Sequence, residues 1–408
     1  MAIEGAYKYI VVGGGLTGAN AVAGIRELDK EGSILFVGAE IFIPYDRPPL
    51  TKKLWFGQKK VQDIFVQDEQ FYIDNHIDVK FGTRIYGLDS FAKVASDNQG
   101  NSYQYEKLLL ATGGIPRTMT VPGSDVAGIC YYRYLPDYLR IREKATPGAT
   151  AVVVGGGFIG SEISAALNIN QVEVTLVQRE DYLVSRVFPE ELGRAIQERY
   201  EAKGVKILSR DSAATFEKQG EKFITTTQAG QRLESDILIV GVGIIPMTTL
   251  ADQADLQMGN GIVVNEYLQS SNPDIYAAGD NANFPYQALG KQTRVEHWDN
   301  AIEQGKQAGR NMTGANEPYT HMPYFFSDLF EFGYEAVGEV DSRLETFADW
   351  EKENDTGVIY YLQDGKVRGA MMCNVWEKVE AARQLIREGR TMSHDDLQGA
   401  ITQKAEVG

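Results

Sequence analysis

The chain has 408 residues, of which 43% are hydrophobic and 24% are charged, as in ordinary globular proteins. A chain of this length exceeds one compact core, so we expect two or three domains. The net charge of −16 argues against general affinity for nucleic acid or for an anionic membrane surface. No apolar stretch is long enough for a membrane span. Because the first predicted strand begins within the first residues, we expect no cleavable signal.

Two cysteines, Cys130 and Cys373, are too few for a disulfide scaffold and are typical of a cytoplasmic protein. Disulfide reductases with two dinucleotide-binding folds need a close cysteine pair early in the chain. The first 129 residues contain no cysteine. The sequence therefore predicts no redox-active disulfide.

Two glycine fingerprints follow short apolar strands. Their glycines are Gly13, Gly15 and Gly18 in YIVVGGGLTGAN, and Gly155, Gly157 and Gly160 in AVVVGGGFIGSE. Each fingerprint opens a helix, leads into a second strand and is followed about 20 positions on by an acid, Glu40 or Glu180. Such a turn brings backbone N–H groups and a helix N-terminus to a pyrophosphate. Two of them predict two dinucleotides, and hence electron transfer between a flavin and a nicotinamide.

The predicted elements begin with a strand, a helix and a strand over residues 8–38. Pro44, Pro48 and Pro49 then fix an extended turn. A short helical stretch precedes three segments with the pattern of edge strands, IDVKFG, RIYGLD and AKVASD, and YEKLLLATGGIPR closes the first block. The second block has a helix near Asp137–Lys144, the second fingerprint unit, the helix ELGRAIQERYEAKG and the strands KILS, KFITTT and DILIVGVG.

From about Pro318 the strands alternate apolar and polar residues. Asp364–Gly365 is placed for a two-residue hairpin turn, and Ser393 is a candidate N-cap after the helix KVEAARQLIREG. We predict an α/β protein with two Rossmann-like dinucleotide-binding domains, for FAD and NAD(P), plus a C-terminal α+β domain. The predicted boundaries are 1–120 with 246–317 for FAD, 121–245 for NAD(P), and 318–408 for the third domain.

Further motifs occur in the order PYDRPPLTK, LLLATGGIPR, GGGFIGSE, GIVVNEYLQSSNPDIYAAGD and RVEHWDNA. In this order the chain resembles flavoprotein pyridine-nucleotide reductases of the ferredoxin-reductase-like and apoptosis-inducing-factor-like branch. RVEHWDNAIEQGKQAGRNMTGANEPY and FSDLFEFGYEAVGEVDS favour the second group, and the resemblance covers nearly the whole chain. It implies FAD at the first fingerprint, NAD(P)H at the second and a cytoplasmic redox role.

The resemblance implies FAD contacts at several segments besides the amides of Gly13–Thr17. They are Glu40, Arg47, Ala111, Thr112, Gly113, Asp280, Glu296, His297, Trp298 and Phe326. Glu40 is expected on the adenosine ribose, although the family often has its acid where this chain has Ala39. The alternatives are a solvated loop for Glu40, a structural cap for Asp280 and a surface arginine for Arg47.

Three residues are expected to act at the flavin ring. By resemblance, Lys52 and Glu162 form an ion pair near flavin N5, where the lysine stabilises developing negative charge. The alternative is two unrelated surface charges. Phe158 is expected to be a movable aromatic lid over the flavin, with core packing as the alternative. His297 and Glu296 open a helix whose N-terminus is expected to face the flavin. We assign His297 no acid–base role.

The nicotinamide coenzyme is expected to contact the second fingerprint and several later positions. They are Gly155, Gly157, Ile159, Gly160, Glu180, Arg186 and Gly243. Glu335 stands at a further cofactor-contact position of the family. Phe326 stands where many family members have tryptophan. The phenylalanine keeps the stacking surface but lacks the indole N–H donor. Glu180 favours NADH because an acid repels a 2′-phosphate, whereas Arg179 and Arg186 keep NADPH as an alternative.

The leading hypothesis is an FAD-dependent NAD(P)H oxidoreductase that passes electrons to ferredoxin, rubredoxin, a quinone or a small dye-like molecule. The alternative is a slow redox-responsive binding protein, similar to apoptosis-inducing factor, that holds reduced FAD and NAD in a charge-transfer complex. Nucleic-acid binding is disfavoured by the charge. We expect no metal site and either a monomer or a homodimer.

Overall fold

The computed structural model describes residues 3–402 of the chain. The helices within this range are α1 (Leu16–Leu28), α2 (Glu69–Asp74), α3 (Leu135–Lys144), α4 (Phe158–Ile169), α5 (Glu190–Ala202), α6 (Thr249–Gln253), α7 (Trp298–Met312), α8 (Val379–Glu388) and α9 (His394–Leu397). The strands are β1 (Ile3–Val12), β2 (Ile34–Gly38), β3 (Ile77–Phe81), β4 (Ile85–Asp89), β5 (Val94–Asp97), β6 (Ser102–Leu110), β7 (Gly114–Pro116), β8 (Cys130–Tyr131), β9 (Thr150–Val154), β10 (Glu173–Val177), β11 (Lys206–Leu208), β12 (Ala213–Gln219), β13 (Lys222–Thr227), β14 (Arg232–Ser235), β15 (Ile237–Val240), β16 (Ile244–Pro246), β17 (Met258–Gly259), β18 (Gly261–Val263), β19 (Ile275–Ala277), β20 (Ala282–Tyr286), β21 (Lys291–Thr293), β22 (Tyr324–Leu329), β23 (Phe332–Gly338), β24 (Glu345–Lys352), β25 (Thr356–Gln363) and β26 (Lys366–Cys373).

The described residues form two compact units. The first comprises residues 3–46, Val61–Ile115 and Ile245–Pro323, and the second comprises Arg47–Lys60, Pro116–Ile244 and residues 324–402. The predicted three-domain division stays a prediction. No helix in the described range is long and apolar enough to cross a membrane.

A seven-stranded sheet forms the centre of the first unit. Strands β3, β2, β1, β6 and β19 run parallel, while β5 and β4 continue antiparallel from the start of β6. All five residues of β2 and the last four of β1 are buried, as expected for parallel strands covered on both faces. The segment IDVKFG is therefore the parallel edge strand β3, and only RIYGLD and AKVASD belong to an antiparallel meander.

Helices α1 and α7 of the first unit pack backbone to backbone through glycines. A Cβ on Gly305 would lie 2.3 Å from the carbonyl oxygen of Thr17, and one on Gly309 would lie 2.1 Å from that of Ala21. Gly24 on α1 makes the reciprocal approach, since its Cβ would lie 2.3 Å from the carbonyl oxygen of Lys306. The helix opened by the first fingerprint is thus fixed by close contact with α7.

The second unit contains an all-parallel sheet in the order β11, β10, β9, β15 and β8. An antiparallel three-stranded sheet, β12–β13–β14, packs beside it. The shared core includes Val152 and Val154 of β9, Leu238 of β15, and Phe216 and Phe223 of the smaller sheet. With the first unit's parallel sheet, this arrangement confirms the predicted fold class.

The second unit also contains the antiparallel sheet β22–β23–β26–β25–β24. Asp364 and Gly365 join β25 to β26 with φ values of +53° and +70°, so both residues are left-handed, as the predicted two-residue hairpin turn requires. Ser393 caps α9, because its side chain accepts the Asp396 N–H and the Asp396 carboxylate accepts the Ser393 N–H. Both local predictions are confirmed.

Candidate functional site

The first glycine turn, between β1 and α1, has the shape of a dinucleotide cradle. Gly13 has φ of +129°, and a Cβ there would lie 2.0 Å from the carbonyl oxygen of Ala111. A Cβ on Gly18 would lie 2.1 Å from the oxygen of Gly13, whereas one on Gly15 would meet no described atom within 4 Å. The turn is therefore closed on one side and open on the other. A pyrophosphate fits the open side, where the helix N-terminus supplies N–H donors.

The predicted segment Ala111–Gly113 lies against this turn. The Thr112 hydroxyl donates to the carbonyl oxygen of Met247 at 2.7 Å and accepts from Nδ2 of Asn281 at 2.8 Å. Asn281 is fully buried, and its Oδ1 has no hydrogen-bond partner among the described residues. A buried amide oxygen of this kind requires a donor, which a bound ligand or an ordered water would supply.

Glu40 accepts hydrogen bonds through both its side chain and its backbone. The Tyr45 hydroxyl donates to Oε2 of Glu40 at 2.6 Å, and the backbone oxygen of Glu40 accepts the Gly82 N–H at 2.8 Å. The preceding strand, β2, ends against the glycine turn, since a Cβ on Gly38 would lie 2.8 Å from Cα of Gly14. This placement fits a carboxylate next to the first dinucleotide, and its ribose contact stays a prediction.

Asp280 lies in the loop after β19. Two residues separate Asp280 from the strand end at Ala277. Nη1 of Arg294 donates to the carbonyl oxygen of Asp280 at 2.8 Å and also pairs with the carboxylate of Glu296. Arg294 was not singled out from sequence, and it links two predicted cofactor residues.

His297 is the N-cap of α7, as predicted for the residue that opens this helix. Burial lowers its pKa to about 4, although Asp280 and Asp299 act in the opposite direction. The imidazole is therefore neutral near pH 7. The neighbouring Trp298 donates its indole N–H to Oδ1 of Asp46 at 2.7 Å.

The second glycine turn repeats the geometry of the first. Gly155 has φ of +109°, and its Cβ would lie 2.4 Å from the oxygen of Gly241. A Cβ on Gly160 would lie 1.7 Å from the oxygen of Gly155, and one on Gly157 would meet no described atom within 4 Å. Gly157 is the N-cap of α4. This second cradle fits the pyrophosphate of a second dinucleotide.

The first residue after β10 is Gln178, which the sequence analysis did not single out. It is buried, its amide donates to the Ser209 hydroxyl at 2.9 Å, and a Cβ on Gly156 would lie 1.7 Å from its Oε1. Glu180 follows two residues later, half-buried, and its backbone oxygen accepts the Arg210 N–H at 3.2 Å. The acid expected to select NADH thus follows a neutral amide at the strand end.

Lys52 and Glu162 form a buried ion pair within the second unit. Nζ of Lys52 lies 2.6 Å from Oε1 of Glu162, and their side chains are 6% and 7% exposed. The same carboxylate accepts hydrogen bonds from the hydroxyls of Thr51 and Ser327, each at 2.5 Å. The pair is therefore not two unrelated surface charges. Its role at the flavin stays a prediction.

Phe325 and Phe326 of β22 each contact a residue that the sequence singled out. Phe158, the first residue of α4, is 36% exposed and meets Phe325 edge to face at 5.6 Å between ring centroids. The centroid of the Phe326 ring lies 5.6 Å from Nζ of Lys52. Phe158 is therefore not a buried core residue, and its role as a movable lid stays a prediction.

Other predicted residues occupy varied positions in the second unit. The guanidinium of Arg47 lies over the ring of Tyr134 at 5.6 Å. Ile159 is 38% exposed, Arg186 is exposed, and Gly243 has φ of +102°. These positions leave the predicted cofactor contacts as predictions.

Glu335 lies on β23 and carries an unusual carboxyl group. Burial raises its pKa, and its Oε2 is buried with no hydrogen-bond partner among the described residues. Asp328, at the end of β22, also has a pKa raised by burial, which nearby Lys52 opposes. Two carboxyls of the C-terminal sheet thus favour the protonated form more than free acids do.

Sequence reasoning missed Thr51, Ser327 and Phe325. Each adjoins a residue that was singled out, so proximity along the chain was the available signal. Both hydroxyls donate to the carboxylate of Glu162, which lies 111 positions from Thr51 and 165 positions from Ser327 along the chain. No local pattern specifies such contacts.

Two glycine cradles, each at a helix N-terminus beside a parallel sheet, are the mark of oxidoreductases that bind two dinucleotides. Residues 7–305 match the family model described as "Pyridine nucleotide-disulphide oxidoreductase", and residues 308–356 match "Apoptosis-inducing factor, mitochondrion-associated, C-term". The chain belongs to the pyridine nucleotide-disulphide oxidoreductase family, in its apoptosis-inducing-factor-like and ferredoxin-reductase-like branch of FAD- and NAD(P)H-binding proteins.

Individual relatives agree with this placement. The chain is 33% identical to apoptosis-inducing factor 1, mitochondrial, of Dictyostelium discoideum, over 97% of this chain and 81% of that protein. It is 33% identical to rubredoxin-NAD(+) reductase of Pseudomonas putida, over 81% of this chain and 86% of the relative. The structure resembles the covalent putidaredoxin reductase–putidaredoxin complex with a TM-score of 0.90, 28% identity, and coverage of 97% of this chain and 95% of that one.

Proposed function

We propose that this protein transfers hydride from NAD(P)H, with NADH favoured, to bound FAD and passes the electrons to an external acceptor such as ferredoxin, rubredoxin or a quinone. When bound, FAD supplies a ring that accepts a hydride and releases electrons. The observation that carries the proposal is the buried ion pair between Lys52 and Glu162, in which Glu162 lies on the helix that the second glycine turn opens.

The two cradles hold the coenzymes at different points of the chain. The amides of Gly13–Thr17 bind the pyrophosphate of FAD, and those that follow Gly157 bind the pyrophosphate of the nicotinamide coenzyme. Lys52 places an ammonium group where negative charge develops on the reduced ring, and Glu162 fixes that ammonium group. Phe158 covers the ring until a nicotinamide displaces it.

The cysteine chemistry supports an external acceptor. Both cysteines are buried and free, and burial raises the pKa of Cys130 to about 12 and that of Cys373 higher still. Neither thiol forms the thiolate that disulfide exchange requires near pH 7. The names of the rubredoxin reductase and putidaredoxin reductase relatives support a small electron-carrier protein as the acceptor.

Anaerobic stopped-flow mixing of the FAD-loaded protein with NADH or NADPH tests this function. We expect fast bleaching of the flavin by NADH and fast reoxidation by at least one acceptor among ferredoxins, rubredoxins and quinones. A matched Phe158→Ala variant should keep its FAD and show altered nicotinamide affinity. Protein that stays colourless after reconstitution with FAD would contradict the proposal.

A second function is favoured by the similarity to apoptosis-inducing factor, which covers 97% of the chain and includes the C-terminal family model. In this alternative the protein turns over slowly and changes partners or oligomeric state when NADH reduces it. Slow bleaching, with a long-wavelength absorbance band that persists in air, supports it. Size-exclusion chromatography with and without NADH then measures the change of state.

A further inference from the structure

The carboxylate of Glu162 receives three donors from two other parts of the chain. Oε1 accepts from Nζ of Lys52 at 2.6 Å and from the Ser327 hydroxyl at 2.5 Å, and Oε2 accepts from the Thr51 hydroxyl at 2.5 Å. Glu162, Thr51, Lys52 and Ser327 are all buried. Each carboxylate oxygen thus has at least one short, charge-assisted hydrogen bond.

Each hydroxyl is next in sequence to a residue that belongs to the ion pair or contacts it. Thr51 ends the 3-10 helix Pro48–Thr51 and directly precedes Lys52, so one short segment supplies a donor to each oxygen of Glu162. Ser327 lies on β22 directly after Phe326, whose ring Lys52 approaches. Rotation of the carboxylate would break at least one of these bonds.

A lysine alone does not fix a buried carboxylate, because an ammonium group is a compact point charge with three rotatable donors. Hydroxyl donors on different oxygens set the plane of the carboxylate, and this plane sets where the ammonium group rests. Removal of one hydroxyl also leaves part of a buried charge unsatisfied.

We propose that Ser327 and Thr51 are positioning residues that orient Glu162 and thereby hold the Lys52 ammonium group at the flavin ring. The inference rests on the proposed function, which places Lys52 beside that ring. A fixed cation stabilises the reduced, negatively charged ring and so raises the flavin reduction potential. Loss of the two hydroxyls leaves the cation mobile and lowers that potential.

The test uses Ser327→Ala, the near-isosteric Thr51→Val and the double variant in the FAD-loaded protein. We expect the equilibrium constant for two-electron reduction to fall about tenfold in the double variant, a shift of about 30 mV. The limiting rate of reduction by NADH should fall, while the dissociation constant for NADH stays within about twofold. Ser327→Thr and Thr51→Ser retain a hydroxyl and should restore both quantities.

A flavin-independent measurement keeps the inference separate from the proposed function. In FAD-free protein, the ammonium resonance of Lys52 in a proton–nitrogen correlation spectrum should be sharp and should broaden in the double variant. Ser164→Ala is the matched control, because Ser164 is a buried residue of α4 whose hydroxyl has no partner among the described residues. It should leave the potential, the rate and the resonance unchanged.

The outcomes separate the two ideas. A Lys52→Met variant with an unchanged potential overturns the proposed role of Lys52 at the flavin. If Lys52→Met lowers the potential while the double hydroxyl variant changes neither the potential nor the Lys52 resonance, the positioning inference fails alone. Should one variant fail to fold, the remaining single variant with its conservative partner decides the question.

Discussion

Gly305 of α7 lies directly on the backbone of Thr17 of α1, where an added Cβ would be 2.3 Å from the Thr17 carbonyl oxygen. Thr17 belongs to the first turn of the helix that the first fingerprint opens. The close packing of these two helices therefore sets the position of the predicted FAD cradle.

We expect Gly305→Ala to lower the free energy of unfolding by about 1–3 kcal/mol, because the methyl group forces α7 away from α1. FAD should also dissociate more readily as the cradle shifts. Urea denaturation and flavin retention on gel filtration measure the two effects. Gly87→Ala is the matched control in the same unit, since its Cβ would make an ordinary 3.5 Å contact with Ser96. Equal behaviour of both variants would contradict the prediction.

The second prediction concerns the stability of the Lys52–Glu162 pair. Lys52→Met leaves a buried carboxylate without its cation, and we expect the free energy of unfolding to fall by about 3–5 kcal/mol. Adding Glu162→Gln to this variant should recover part of that loss. The exposed pair of Arg194 and Glu190 on α5 provides the control, where Arg194→Met should cost less than about 1 kcal/mol. Urea denaturation of the FAD-free protein and its three variants measures these effects.

The third prediction concerns pH. Burial lowers the pKa of His297 to about 4 in the folded protein, against 6.5 in the unfolded chain. Between these values the unfolded state binds more protons, so stability decreases as pH falls from 6.5 to 4. We expect this residue to account for a loss of at most about 3 kcal/mol. His297→Asn places a preferred N-cap residue at this position and should flatten the profile over that window.

Free energies of unfolding at several pH values, measured for both proteins, test this prediction. The other three histidines are present in both proteins, so the difference between the two profiles isolates His297. Parallel profiles would show that the surroundings of the imidazole do not lower its pKa.

The fourth prediction concerns the nicotinamide coenzyme. Glu180→Gln removes a charge that repels a 2′-phosphate, and it should raise kcat/KM for NADPH relative to NADH by about tenfold. Arg179→Gln, one residue earlier, should shift the ratio in the opposite direction. Steady-state kinetics with both coenzymes measure the ratio. If neither variant changes it, the residues that discriminate lie elsewhere, and Gln178 at the end of β10 is then the first position to examine.

Local features of this fold could be predicted from sequence. The two fingerprint turns, the left-handed pair Asp364–Gly365 and the N-cap Ser393 each depend on conformational preferences of a few adjacent residues. The parallel strands β2 and β9 are short apolar runs before or after glycine turns. Their patterns are strong because both faces of each sheet are covered.

Features set by distant contacts could not be predicted. The sequence analysis missed the strands β12 and β24, because AATFEKQ and ETFADWEK mix charges with apolar residues and owe their pairing to neighbouring strands. It also missed Gln304, whose Oε1 accepts the Gly279 N–H at 2.8 Å and so holds the loop before Asp280. A glutamine on a helix gives no sign that it faces inward.

The middle glycine of each turn is open, so a substitution there affects coenzyme binding without affecting folding. A methyl group at Gly13 or Gly155 would collide with the backbone, but one at Gly15 or Gly157 would meet no described atom within 4 Å. Alanine at Gly15 should thus yield a well-folded apoprotein that cannot retain its yellow colour. Alanine at Gly157 should yield a yellow, FAD-containing protein that does not bind its nicotinamide electron donor. A single methyl group can in this way abolish binding of either coenzyme while the protein remains folded.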